Sequence, residues 1–153
     1  PWLPPIDYTP ASLRGSSVQW NLGSPNSQPY LVGGFGKSQS GPGRPVRWTT
    51  ARRAEVIVPN LLPDPLKVSL WLQPNLAPGV VGKPVVIRWN GDVVARATLG
   101  PQPTTLTWNI RGDVGDNLLA IEAALDAPAA IAGLPAATGP VGVAAGELRF
   151  TGQ

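Results

Sequence analysis

No cysteine, histidine or methionine occurs among the 153 residues. Without Cys and His there are no disulfides, no thiol chemistry, no Cys/His zinc sites and no Ser-His or Cys-His nucleophile pair. Charge is also sparse: 12 Lys and Arg stand against 9 Asp and Glu, a net of +3. A nucleic-acid binder is expected to carry a denser basic footprint, and Arg44, Arg47, Arg52 and Arg53 form the only local cluster. No apolar run reaches the roughly 18 residues that a membrane helix requires. Because the chain starts at Pro1 and lacks Met, it is expected to be a processed product or an excised fragment.

What is abundant is backbone punctuation. The 18 Gly and 19 Pro leave little room for helices of ordinary length. The 42% apolar content is nevertheless enough for one domain with its own core. Apolar residues recur with period two. Val18, Trp20 and Leu22 alternate with Gln19 and Asn21. Leu66, Val68, Leu70 and Leu72 alternate with Lys67, Ser69, Trp71 and Gln73. Leu106, Trp108 and Ile110 alternate with Thr105, Thr107 and Asn109. This is the pattern of half-buried strands.

Further strands are expected over 54–58, 85–89, 92–99, 118–125 and 146–151. Asn90-Gly91 between two β-rich runs predicts a two-residue type I′ hairpin, since both turn positions need positive φ. Segments 23–29 and 33–45 read as irregular, the second as a long flexible loop, and 126–139 has room for one short helical turn. The fold class that follows is all-β: a single antiparallel β-sandwich, jelly-roll-like, with long Gly/Pro-rich loops. Residues 1–15 read as an N-terminal arm or linker and 16–153 as the sandwich.

Few motifs carry chemistry. Gly33-Gly34-Phe35-Gly36-Lys37-Ser38 lacks the spacing of a phosphate-binding loop and no helix can follow it through Gly41-Pro42-Gly43. Asp113, Asp116 and Asn117 put three oxygen donors within five residues, which suits either a tight turn or a calcium ligand set. No catalytic residue and no cofactor is expected. The six Trp are the richer signal, because exposed rings stack on sugars. Trp20, Trp89 and Trp108 alternate with apolar partners and read as core. Trp71 has polar partners on its side of the strand, so it faces solvent or packs beneath a loop or the arm. Trp48 and Tyr30 are further candidates for stacking, with Arg47, Gln73 and Asn75 as hydrogen-bonding neighbours.

The order of short motifs resembles that of extracytoplasmic β-sandwich domains attached to bacterial lipid-carrier-dependent membrane glycosyltransferases of the dolichyl-phosphate-mannose type. The matching elements are Trp20-Asn21-Leu22-Gly23, Tyr30-Leu31-Val32-Gly33-Gly34-Phe35 and Arg47-Trp48-Thr49. They continue with Ala54-Glu55-Val56-Ile57-Val58-Pro59, Asn90-Gly91 and Val141-Gly142-Val143-Ala144. Two departures stand out: Lys37-Ser38-Gln39 replaces an acidic residue after Gly-Phe, and Thr138-Gly139-Pro140 replaces an Asp/Arg-rich lead into the last strand.

The resemblance implies a non-catalytic, carbohydrate-binding-like accessory module. It would be displayed outside the cytoplasm, in the periplasm or at the cell surface, and tethered through a parent membrane protein. Its partner would be a glycan or the parent's membrane portion. The alternative reading is a structural or protein-interaction sandwich with no small ligand. A contiguous apolar patch around the N-terminal arm and Trp71, without a groove, favours interaction, and a concave strip of rings with polar neighbours favours sugar.

Overall fold

The computed structural model describes residues 17–41, 44–59, 65–111, 116–129 and 139–152. Eleven strands occur among them. They are β1 (Ser17–Asn21), β2 (Leu31–Gly33), β3 (Gln39–Gly41), β4 (Arg44–Trp48), β5 (Arg53–Val58) and β6 (Pro65–Pro74), followed by β7 (Pro84–Trp89), β8 (Asp92–Thr98), β9 (Thr104–Arg111), β10 (Asn117–Glu122) and β11 (Val143–Gly152).

One sheet has the order β3-β4-β11-β6-β9, with β1 also bonded to β11, and the other has the order β2-β5-β10-β7-β8. Every pairing between these strands is antiparallel. The all-β sandwich expected from alternation is therefore the fold. No helix among the described residues is long and apolar enough to cross a membrane.

Alternation decides the layers. On β6, Leu66, Val68, Leu70 and Leu72 are buried and meet Leu148 and Phe150 of β11, together with Val56, Val58, Ile87 and Ile121 of the opposing sheet. Trp20, Trp89 and Trp108 lie in this core, with Trp20 edge-on to Phe150 at 6.2 Å between ring centroids. Burying one large side chain of this kind contributes about 1.5–3 kcal/mol, so the inward alternate positions hold the sandwich together. The 90–91 hairpin forms as expected, with φ of 50° at Asn90 and 90° at Gly91. Asn90 anchors it by accepting from the Leu118 N–H at 2.8 Å and donating to Asn117 Oδ1 at 2.9 Å.

Two expectations are corrected, and a third falls largely outside the described residues. The segment expected to be irregular after Gly23 holds a 3-10 helix, Pro25–Tyr30, in which Ser24 caps the Asn26 N–H and Pro25 starts the helix. Proline suits that first position because its missing N–H would have no partner there. The expected flexible loop 33–45 contains β3 and the start of β4, paired through Gln39↔Val46 and Ser40↔Pro45. Within 126–139, Asp126 bridges Val141 as antiparallel backbone; residues 130–138 lie outside the described set, as do the arm 1–15 and residue 16.

Candidate glycan-binding face

The outer face of the six-stranded sheet is the side that alternation turns away from the core. Its register sorts it into rows. Trp71 pairs with Thr105 of β9. On its other side β11 shifts register between Ala145 and Leu148, so Gly146 and Glu147 together oppose Trp71 as a bulge. The next row is Gln19, Arg149, Ser69 and Thr107, and the next Ser17, Thr151, Lys67 and Asn109. Trp71 is half-buried, and Thr105, Thr107, Asn109 and Lys67 are exposed. Ser69, Trp71, Thr105 and Glu147 line a shallow depression of about 230 Å³.

Two features hold Trp71 in place. Its six-membered ring lies over Gly146: a Cβ there would stand 2.9 Å from Cε3 and 3.6 Å from Cδ2 and Cζ3. Any larger residue would displace the ring. Trp71 also packs against a small second core on the outer side of this sheet, built from Val46, Trp48, Val141 and Ala144. The carboxylate of Glu147 bonds Arg149 at 2.9 Å, and the same guanidinium donates to Gln19 Oε1 at 2.8 Å. An indole held on a flat sheet among hydroxyls, an amide and a fixed carboxylate can stack on a sugar ring and bond its hydroxyl groups.

Of the residues singled out from sequence, only Trp71 belongs to this face as an accessible ring. Trp48 is buried in the second core beside Ala144, its cross-strand partner. Tyr30 is buried against Trp20 with ring centroids 4.7 Å apart, behind a pocket of about 250 Å³ beside β1. Burial raises the pKa of its hydroxyl.

Arg47 points to the opposite side of β4 from Trp48 and is 3% exposed. It donates to the carbonyls of Gly36 at 3.0 Å and Ser24 at 3.2 Å. Desolvation lowers its pKa. No carboxylate among the described residues pairs with it. Gln73 is buried and donates to the carbonyls of Pro74 and Pro101 at 3.0 and 3.1 Å. Asn75, with no exposed surface, places Nδ2 within 3.0–3.2 Å of the carbonyls of Asp126, Ala127 and Val141. Its Oδ1 accepts from Ala77 and Ala129. These polar groups hold loops to the sandwich through hydrogen bonds made within the protein.

The calcium candidate falls only partly on the described residues. Asn117 is buried and its Oδ1 already accepts from Asn90, while Nδ2 donates to Val58 at 3.4 Å. Asp116 is exposed and Asp113 lies outside the described residues. Four other acids hold structural partners: Glu55 and Glu122 bond Arg53, Glu147 bonds Arg149, and Asp126 accepts from the N–H groups of Gly79 and Ala127.

Sequence reading did not single out Ser69, Thr105 and Glu147. Ser69 stood two residues from Trp71 on the polar side of the same alternation, whereas strand register brings Thr105 and Glu147 beside it.

No protein-family model matches this chain, and no curated protein matches it by sequence. Among solved structures it is similar to the CBM36-1 domain of a multidomain xylanase from the hindgut metagenome of Trinervitermes trinervoides. That match has a TM-score of 0.57 and 12% identity, covering 90% of this chain and 98% of that one. It is similar to the C-terminal CBM6 of a marine laminarinase from Zobellia galactanivorans, with a TM-score of 0.53 and 12% identity over 89% and 99% of the two chains. It is also similar to a Podospora anserina GH26-CBM35 β-(1,4)-mannanase, with a TM-score of 0.58 and 11% identity over 92% of this chain and 28% of that one. At these identities the likeness is one of architecture, and the chain has the two-sheet fold of carbohydrate-binding modules.

Proposed function

We propose that this domain is a non-catalytic glycan-binding module whose binding surface is the outer face of the six-stranded sheet, centred on Trp71. The observation that carries the reading is a single half-buried indole fixed over Gly146 and bordered by Ser69, Thr105 and Glu147. The fold shared with modules named for binding carbohydrate supports it. A protein-docking role would call for a contiguous apolar patch. The exposed large apolar residues among those described are Val32 and Val93, on opposite edge strands of the other sheet.

What supports attachment to a membrane glycosyltransferase outside the cytoplasm is the motif order set out above. On that reading the module holds glycan near a catalytic portion carried elsewhere in the parent.

Titration calorimetry of the domain against a panel of neutral and acidic oligosaccharides tests the binding function. Trp71→Ala should weaken any detected affinity by roughly tenfold or more, the scale of one lost stacking contact. Unchanged affinity in that variant would remove Trp71 from the site.

A further inference from the structure

We infer that Glu147 sets the specificity of this face, selecting a neutral glycan with free hydroxyl groups and rejecting sugars esterified or carboxylated there; this rests on the glycan-binding reading. The bulge of β11 creates the arrangement. Ala145 and Leu148 both lie in the core, so Gly146 and Glu147 between them both turn outward. A regular strand turns only one of two neighbours outward. The extra residue seats the indole at Gly146 and puts a carboxylate beside that seat.

That carboxylate is held at one oxygen and open at the other. Oε1 bonds Nη2 of Arg149 at 2.9 Å, and the same nitrogen donates to Oε1 of Gln19 at 2.8 Å, which ties the group to β1. Oε2 has no partner among the described residues, and neither do the side-chain hydroxyls of Ser69 and Thr105. All three line the same depression as the ring. A carboxylate oxygen only accepts, whereas a hydroxyl donates or accepts. Sugar hydroxyls above the indole therefore satisfy all three oxygens. A ligand carboxylate in that place would set acceptor against acceptor, and an ester would offer Oε2 no proton. A site built to bond a hydroxyl rejects an analogue lacking it far more strongly than an apolar contact discriminates.

The cations of the face do not reverse this preference. Arg149 is the partner of Glu147 itself. Lys67 lies four residues from Trp71 along β6, about 14 Å of strand, which exceeds the screening length of roughly 8 Å at physiological salt. Arg111, opposite Pro65, is farther still. The side chains of Arg149 and Glu147 are 44% and 42% exposed, so their pair contributes little to stability. Arg149 and Gln19 are positioning residues that fix where Oε2 points.

The experiment is titration calorimetry of the domain with three probe sets. These are unsubstituted cello-, manno- and xylo-oligosaccharides, the O-acetylated forms of the same oligomers, and galacturonate oligomers. An unsubstituted neutral oligomer should bind roughly tenfold or more tightly than its acetylated form and than galacturonate. Glu147→Gln should weaken that neutral binding roughly five- to tenfold, the scale of one charge-assisted contact, and narrow the gap to galacturonate. Arg149→Met should lower the same selectivity ratio with the urea midpoint unchanged, and Arg149→Lys should restore it. Arg96→Gln, on an exposed position of β8 in the other sheet, should change nothing. Acetylated or galacturonate oligomers binding as tightly as neutral ones, with Glu147→Gln silent, would overturn this inference and leave the glycan reading standing. An equal loss toward every probe in Glu147→Gln would overturn it too, by giving Glu147 a structural role. Absence of binding to every oligomer would overturn both.

Discussion

A Cβ on Gly146 would stand 2.9 Å from Cε3 of Trp71, so the bulge of β11 and the indole are in direct contact. Gly146→Ala forces either the ring or the bulge to move. Overpacking of this kind costs about 1–3 kcal/mol, and glycan affinity should fall with it. A double-mutant cycle checks the cause. In a Trp71→Ala background the Gly146→Ala cost read from urea midpoints should largely disappear; an undiminished cost would locate the strain in the backbone.

Asn75 joins three segments that are far apart in sequence, at 75–77, 126–129 and 141. Asn75→Ala leaves those backbone groups without their shared partner inside the protein. The expected loss is about 2–4 kcal/mol, from several buried groups at 1–3 kcal/mol each with partial relaxation. Urea denaturation measures it. A loss under about 0.5 kcal/mol, the range of an ordinary surface change, would contradict the clamp.

Arg47 ties the 3-10 helix cap and the Gly36 turn to β4 through Ser24 and Gly36. Replacing it with Met keeps much of the apolar stem and removes both donors. Arg47→Met should destabilise the fold by about 2–4 kcal/mol, the scale of two hydrogen bonds from a charged donor. Glycan affinity of the folded fraction should be unchanged. A selective loss of binding at unaltered stability would return Arg47 to the ligand site.

Tyr30 supplies a pH signature. Burial raises its folded pKa above the unfolded value near 10. Its stabilisation is therefore full below about pH 10 and is lost as pH rises through the folded value, because the unfolded chain releases its proton first. Urea midpoints should decline above about pH 10, and Tyr30→Phe should make that decline shallower. Identical slopes for both proteins would show the hydroxyl to be solvated.

The body of the fold was readable because its strongest signal is local. Period two over 66–72 and 104–110 sets burial residue by residue, and Asn90-Gly91 states its own turn conformation. The same alternation set Trp71 apart from the core tryptophans. It did not reveal the fate of Arg47, Gln73 and Asn75, each of which has a partner between 11 and 66 positions away. Nor did it reveal that Trp48 faces outward yet is covered, because the second core forms only when β4 docks on β11 beside Val141. The 3-10 helix was hidden by Pro25 and Pro29, which read as breakers but fit one tight turn after a Ser cap.

The pairing of β1 with β11 has a mechanical outcome. Ser17 sits opposite Thr151, so the first and last described strands are stitched side by side along one edge. Polypeptide arriving at Ser17 and departing from Gly152 passes through the same seam. Pulling on the two ends would load that seam one hydrogen bond at a time, as a zipper, leaving the inner strands β6 and β10 unstressed until β1 had peeled away.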